Sequence, residues 1–302
     1  MKVAPKLTES DLRGVYAKLD RGRKHIDALD ESVERLVKNH PDGLADASQE
    51  MDFKVGEYRV TIGRVADTPI DIALELGDAV HNIRSALDHL AWQLVVANRE
   101  TPTGATQFPV LGTAPQTWKK SMTFAKATID RVAGMHPDHV STIERLQPYI
   151  ASPEAPEEST LWWLHRLDVI DKHKVLHIPE VWLRTLTARS DMPPDVPLKL
   201  ITPFEPGPLK PDTQFVWRFN ADRLRWYGSK VKVNVQWLAS CDVALGECAD
   251  EGEPYPFPGV TAVEAVDLMH QHVRDTVIPL FTSPGHGVTP RSGRHGGPTV
   301  RG

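Results

Sequence analysis

The most constraining feature of this sequence is a helical segment with apolar residues on every side. The segment 161–177 reads LWWLHRLDVIDKHKVLH. Placed at 3.6 residues per turn, its apolar residues project in nearly every direction. A helix of this kind is normally buried inside a protein, so the rest of the chain must pack around it. The segment therefore predicts a central core helix.

The same helix carries ionisable side chains, which need partners if the helix is buried. His165, Asp168 and Lys172 follow one another at spacings of three and four residues, and Asp171 and His173 lie close by. Because an unpaired charge removed from water costs several kcal/mol, these groups need charged partners or a water-filled cleft. Another part of the chain must supply them.

A second long helix, predicted over 70–99, has a well-defined core stripe. On a helical projection, the apolar residues that fall close to one line are Leu76, Val80, Ile83, Leu87, Leu90 and Leu94. Leu74 and Trp92 lie on the other side, among polar residues. This distribution predicts a helix that is covered on two sides.

The polar side of this second helix offers partners with matching spacing. His81, Arg84 and Asp88 form a row about 80° to 140° round from the core stripe, and His89 lies farther round beside Ser85. We predict that the polar rows of the two helices face each other or line a shared cleft, where pKa values are perturbed as in acid–base sites. Two simpler interpretations stay open: an exposed Arg84–Asp88 pair, or a structural ion-pair network.

The remaining periodicity predicts an α+β fold. Helices are expected at 8–40 and 261–282, with capping residues at both starts. Shorter helices at 115–122, 125–134 and 138–148 complete a helical core of 8–40, 70–99 and 115–177. Alternating apolar residues predict an antiparallel sheet from 53–65 and 178–248, with Gly56 at a break in the first part. The helical bundle, with two long central helices plus N- and C-terminal helices, is expected to pack with this sheet in one domain over 1–282. A disordered basic tail is expected at 283–302.

Composition excludes several classes of protein. Of 302 residues, 35 are Lys or Arg and 40 are Asp or Glu, and a net charge of −5 argues against a protein that coats nucleic acid over its whole surface. Two cysteines cannot form a disulfide framework. No stretch approaches 18 apolar residues and the start lacks a signal-peptide pattern, so we expect a cytoplasmic protein without a membrane partner.

Metal-independent cleavage of RNA is one chemistry that fits these side chains. That reaction needs a base for the 2′-hydroxyl proton, an acid for the leaving oxygen and cations for the charge on phosphorus. His89 or His81 would move the proton, Arg84 would bind phosphate and Lys172 would add a positive charge. RNA is then the expected partner, and no cofactor is required.

The run RSALDH, Arg84 to His89, resembles the Arg-x4-6-His motif of the HEPN superfamily. This resemblance implies a helical-bundle ribonuclease of the toxin or phage-defence kind, with Arg84 and His89 as catalytic pair at the cleft of a homodimer. Ser85 stands where that family more often has Asn or Asp. The strings GDAVHNIRSALDHLAWQL and LHRLDVIDKHKVLH also resemble uncharacterised bacterial and actinophage proteins, which implies a bacterial or phage context.

Helical geometry adds a condition to that pair. Residues five apart project about 140° away from each other on an ideal helix, so a site shared by Arg84 and His89 requires long side chains, a distorted helix or a second protomer. Asp88, four residues after Arg84, is better placed to orient it.

Two other functions stay open from the sequence. One is a metal-dependent hydrolase on a helical bundle, in which His173 and His177 at i, i+4 bind a metal and Asp88, His165 and Asp168 complete the shell. The other is a non-enzymatic adaptor or structural oligomer, held together by a structural ion-pair network.

Overall fold

The computed structural model describes residues 3–115, 122–173, 180–227, 234–244 and 260–282, and within these ranges the chain has an α+β fold. The helices and strands, in chain order, are α1 Arg13–Lys38, β1 Ala45–Asp52, β2 Glu57–Val65, α2 Ile70–Ala97, α3 Phe124–Ala127, α4 Ile129–Val132, α5 Pro137–Arg145, α6 Pro148–Ala151, α7 Thr160–His173, β3 Glu180–Ser190, β4 Lys199–Leu200, β5 Gly207–Pro208, β6 Gln214–Arg218, α8 Ala221–Trp226, β7 Val235–Ala244 and α9 Ala262–Gln271. The predicted fold class is confirmed.

Helix α2 lies at the centre of the helical layer, against α1 on one side and α7 on the other. All six residues of its predicted core stripe are buried, as are Leu19, Ile26 and Leu29 of α1. Helices α1 and α7 thus cover α2 on two sides, as predicted, but Leu74 and Trp92 remain 47% and 45% exposed. Part of its polar face lies against α7, and the apolar residues on that face stay in water.

Most of the apolar side chains of α7 are buried, as the composition of this helix predicts. Leu161, Trp163, Leu164 and Leu167 are each about 1% exposed. Val169 faces water instead, at 38%. The helix is described as far as His173; residues 174–177, the predicted end, lie outside the described part of the chain.

The predicted strands form two sheets rather than one. Among the described residues, one sheet has the order β1-β2-β6-β4 and the other the order β5-β3-β7, with antiparallel pairing throughout. Residues from both sheets, including Val60, Ile62, Trp217 and Leu183, form a second hydrophobic cluster beside that of the helices. Gly56 lies in the β1–β2 turn at the predicted break, with a positive φ of 76°. The edge strand β1 is largely polar, which is why alternation alone does not reveal its start.

The predicted cap is present at the last helix but not at the first, where Leu12 occupies the N-cap position without a side-chain hydrogen bond. Thr8 and Asp11 exchange hydrogen bonds through their side chains, yet the α-helix begins only at Arg13. Thr261 and Glu264 form a complete capping box at the start of α9. After α9 the chain widens into a π-helical turn over His272–Val277 and then tightens into a 3-10 turn over Ile278–Phe281.

The predictions for the short helices, the tail and the domain organisation are tested only in part by the described residues. Short helices predicted at 125–134 and 138–148 appear as the pairs α3/α4 and α5/α6, whereas most of the one at 115–122 lies outside the described residues. The tail at 283–302 lies outside them too. The single domain over 1–282 stays a prediction. None of the helices in the described ranges is long and apolar enough to cross a bilayer.

Candidate functional site

The polar rows of α2 and α7 meet, because the two helices run antiparallel in close contact. Gly77 of α2 makes the approach possible: a Cβ atom there would lie 2.6 Å from an Asp171 carboxylate oxygen. One helical turn farther along α2, His81 reaches Asp168 of α7. The central prediction from sequence, that ionisable groups of these helices converge, is therefore observed.

The first group in this contact is a buried carboxylate between two accessible basic side chains. Asp168 Oδ1 lies 3.1 Å from His81 Nδ1, and its Oδ2 accepts a hydrogen bond of 2.7 Å from Lys172 Nζ. The side chain of Asp168 is 5% exposed, whereas those of His81 and Lys172 are 44% and 41% exposed. Asp168 thus fixes the orientation of both side chains while solvent still reaches them.

The second group uses Arg84 and Asp88 to hold the backbone of Phe108. Arg84 donates one hydrogen bond of 2.7 Å to Asp88 Oδ1 and another of 2.8 Å to the Phe108 carbonyl. The Phe108 amide in turn donates to Asp88 Oδ1 at 3.0 Å. The three residues close a ring of hydrogen bonds, and Arg84 is only 5% exposed. In this arrangement Arg84 stabilises the structure and offers little surface to a ligand.

His165 lies between the two groups and is held neutral. Burial lowers the pKa of His165 to about 4, and the nearby charge of Arg84 acts in the same direction more strongly than Asp168 opposes it. Its Nδ1 is buried and meets no hydrogen-bond partner among the described residues. A ring with such a pKa carries no proton to donate near neutral pH.

Arg84 and His89 occupy different surroundings. His89 is exposed and lies over Gly14 at the start of α1, where a Cβ would be 3.1 Å from its Nδ1. Arg84 points the other way, towards Phe108 and α7. Ser85, one residue on, is partly buried. Within one protomer the structure therefore does not bring the Arg-x4-His pair together, as the 140° separation predicts.

The remaining predicted residues give no metal site in the described part of the chain. Asp171 packs against Gly77 of α2. His173 is the last residue of α7, but its side chain, like all of His177, lies outside the description. No group of three His, Cys, Asp or Glu side chains that could hold a metal ion is found among the residues described.

Sequence reasoning missed the connection that α2 holds, residues 107–112. Gln147 is fully buried and donates to the Pro109 carbonyl at 3.0 Å, while its side-chain oxygen accepts from the Leu111 amide at 2.9 Å. Beside it, the ring of Trp162 packs on Gly112. A proline-rich connection has no periodicity that would predict its position. The one available signal was that a buried polar side chain such as Gln147 requires hydrogen-bond partners.

Comparisons of the chain with family models, with curated proteins and with solved structures give no match.

Proposed function

We propose that the protein is a metal-independent ribonuclease in which His81, Asp168 and Lys172 are the working groups, in place of the Arg84 and His89 of the HEPN-like motif. The observation that carries the proposal is the buried Asp168 carboxylate between an exposed imidazole and an exposed ammonium group. A carboxylate hydrogen-bonded to one ring nitrogen selects the tautomer of the imidazole and leaves the other nitrogen to accept a proton. Arg84 and Asp88, which the sequence favours for catalysis, hold the Phe108 backbone instead.

The chemistry follows from the accessible atoms. Neutral His81 accepts the proton of a ribose 2′-hydroxyl, and the 2′-oxygen attacks the adjacent phosphorus. The bond from phosphorus to the 5′-oxygen breaks, which gives a 2′,3′-cyclic phosphate and a 5′-hydroxyl that takes its proton from solvent. Lys172 stabilises the negative charge that grows on the phosphoryl oxygens. RNA in the cytoplasm of a bacterium is the corresponding substrate.

A homodimer is part of the proposal. The face of α2 that carries His81 also exposes Leu74, Trp92 and Val96, each between 45% and 47%. A second copy packed there would remove these apolar side chains from water and enclose the candidate site. Light scattering that returns only the monomer mass of 33.7 kDa would contradict this part of the proposal.

The test is cleavage of single-stranded RNA by the purified protein in EDTA. We expect His81→Gln to lower the rate by about 10²-fold or more, because it removes the proton acceptor. Lys172→Met is expected to lower it by about 10-fold to 10²-fold through the lost charge. Cyclic phosphate ends on the products would identify the predicted reaction.

His89→Gln is the matched control, since it is an exposed histidine on the same helix. We expect its rate to stay within about twofold of the parent, because its ring does not reach Asp168. Undiminished cleavage by His81→Gln, or loss of cleavage in His89→Gln alone, would overturn the assignment of His81. Circular dichroism of each variant distinguishes lost chemistry from lost folding.

A non-enzymatic adaptor is the second candidate, and the burial of Arg84 favours it. In a purely structural network, the arginine donates its hydrogen bonds to other parts of the protein, as Arg84 does to Asp88 and Phe108. This candidate predicts no cleavage of RNA by the parent protein under any metal condition.

A further inference from the structure

The two ends of the described chain are joined by hydrogen bonds. Lys6 Nζ donates to the Leu280 carbonyl at 2.8 Å, and the Leu7 amide donates to the Phe281 carbonyl at 2.9 Å. Leu7 and Thr282 also form a parallel β-bridge. We call residues 5–7 and 280–282 the terminal clasp.

A buried histidine of α5 lies against this clasp. His139 is 3% exposed, and its ring meets the ring of Phe281 edge-on, with 5.9 Å between centroids. The two ring nitrogens make no hydrogen bond of good geometry among the described residues, although the Pro5 carbonyl is close enough to act on the ring. A buried imidazole with so little hydrogen bonding is more stable as the uncharged ring, since a proton there would be a buried charge.

The charged groups around His139 make that proton still less favourable. Lys6 approaches from the N-terminal segment, and His136, whose ring centroid lies 6.1 Å away, is the N-cap residue of α5. Asp138, also of α5, is the acidic group that acts on the ring, and it is half-exposed and 3.5 Å from His136. The C-terminal segment faces His139 with the uncharged Phe281.

We propose that His139 is an acid-sensitive latch, and that protonation of its ring opens the terminal clasp. The charged ring gains its hydration only when the segments that cover it, residues 5–7 and 280–282, move away. We expect the clasp to yield because few hydrogen bonds join its two segments, even though Leu7 and Phe281 are buried. This inference does not depend on the ribonuclease proposal.

The direction of the pH dependence follows from the burial of the ring. Burial lowers the pKa of His139, with His136 and Lys6 adding to the effect, and the Pro5 carbonyl and Asp138 oppose it. The contribution of the neutral ring to the closed clasp is therefore complete above the unfolded pKa of 6.5. It is lost as the pH falls below that value.

Hydrogen exchange of the intact protein tests the latch. We expect the protection factor of the Leu7 amide, after division by the intrinsic exchange rate, to fall by about tenfold or more between pH 7.5 and pH 5.0. In His139→Phe, which keeps a ring but cannot take a proton, it should stay unchanged over this range. His270→Phe is the matched control: it removes another buried histidine, which bonds to Leu19 rather than to the clasp, and should leave the acid opening intact.

Two results would overturn the proposal: equal protection of Leu7 at both pH values in the parent protein, or equal acid loss in parent and His139→Phe. A direct NMR titration of the His139 ring covers the case in which His139→Phe does not fold. A ring that titrates at or above its ordinary pKa of 6.5 would also overturn it.

Discussion

Among single residues, Arg84 and Lys172 have similar sequence surroundings but differ in how far they are buried. Arg84 and Lys172 are both cations beside a carboxylate four residues away on the same helix. Arg84 is enclosed and donates to a backbone carbonyl as well, so its removal leaves polar atoms without partners. Lys172 stays near the surface, where water replaces a lost bond. Arg84 therefore contributes to stability, whereas the exposed ammonium group of Lys172 can also contact a ligand.

Arg84→Ala should lower the free energy of unfolding by about 2–3 kcal/mol, because the Phe108 carbonyl loses its donor and Asp88 loses its charged partner. Chemical denaturation measures the change. His89→Ala, on the exposed side of the same helix, should change stability by less than about 0.5 kcal/mol. Similar small effects from both substitutions would show that Arg84 is not the structural residue described.

At the scale of elements, close approaches of glycine fix how the parts fit together. Gly77 admits α7 to α2, and Gly112 admits the ring of Trp162 to the 107–112 connection. Gly56 has the least room for a side chain. Its φ is +76°, and an added Cβ would lie 2.3 Å from the Phe219 carbonyl oxygen. There the β1–β2 turn touches the chain between β6 and α8. A small residue at each point is a condition for the contact.

Gly56→Ala should therefore cost about 2–4 kcal/mol of stability, since the methyl group adds a backbone clash to an unfavourable φ. Thermal unfolding followed by circular dichroism reports the loss. Gly104→Ala provides the comparison, because nothing lies within 4 Å of a Cβ at that position and its backbone is not strained. A Gly56→Ala protein as stable as Gly104→Ala would refute the packing of this turn.

At the scale of the whole molecule, several buried histidines make folding sensitive to acid. The pKa values of His139, His165, His270 and His272 are all lowered, in each case chiefly by burial. In the unfolded chain these rings take up protons near their ordinary pKa of 6.5, whereas in the folded protein they resist protonation. Stability from the neutral rings is thus complete above pH 6.5 and declines below it.

We expect the free energy of unfolding to fall steadily between pH 6.5 and pH 4. His165 alone should contribute about 2 kcal/mol, after allowance for the water that still reaches part of its ring. Urea denaturation at intervals of half a pH unit measures the slope. In His165→Phe the slope should be shallower over the same range. An unchanged slope would mean that His165 is protonated as easily folded as unfolded.

Local rules predicted the features that depend on helical spacing. The Arg84–Asp88 pair and the separation of Arg84 from His89 follow from residues per turn, and the core stripe of α2 follows from its apolar periodicity. The meeting of His81 with Asp168 followed from the cost of burying charges. The partners Phe108 and Gln147 did not follow, because long-range contacts in an aperiodic connection have no local signal. The exposure of Trp92 was also missed, since apolar character alone does not say that a neighbour is present to cover it.

Periodicity along the chain is enough to predict the α+β class and the buried faces of α2 and α7. The free energy of burying charge is enough to predict that the ionisable groups of the two helices meet. Which of these groups face solvent depends on the packing of the whole chain. The 107–112 connection covers Arg84, while His81 and Lys172 stay open at the edge of the contact. Accessibility depends on segments that are distant in the chain, and so it cannot be read from the helices that carry these residues.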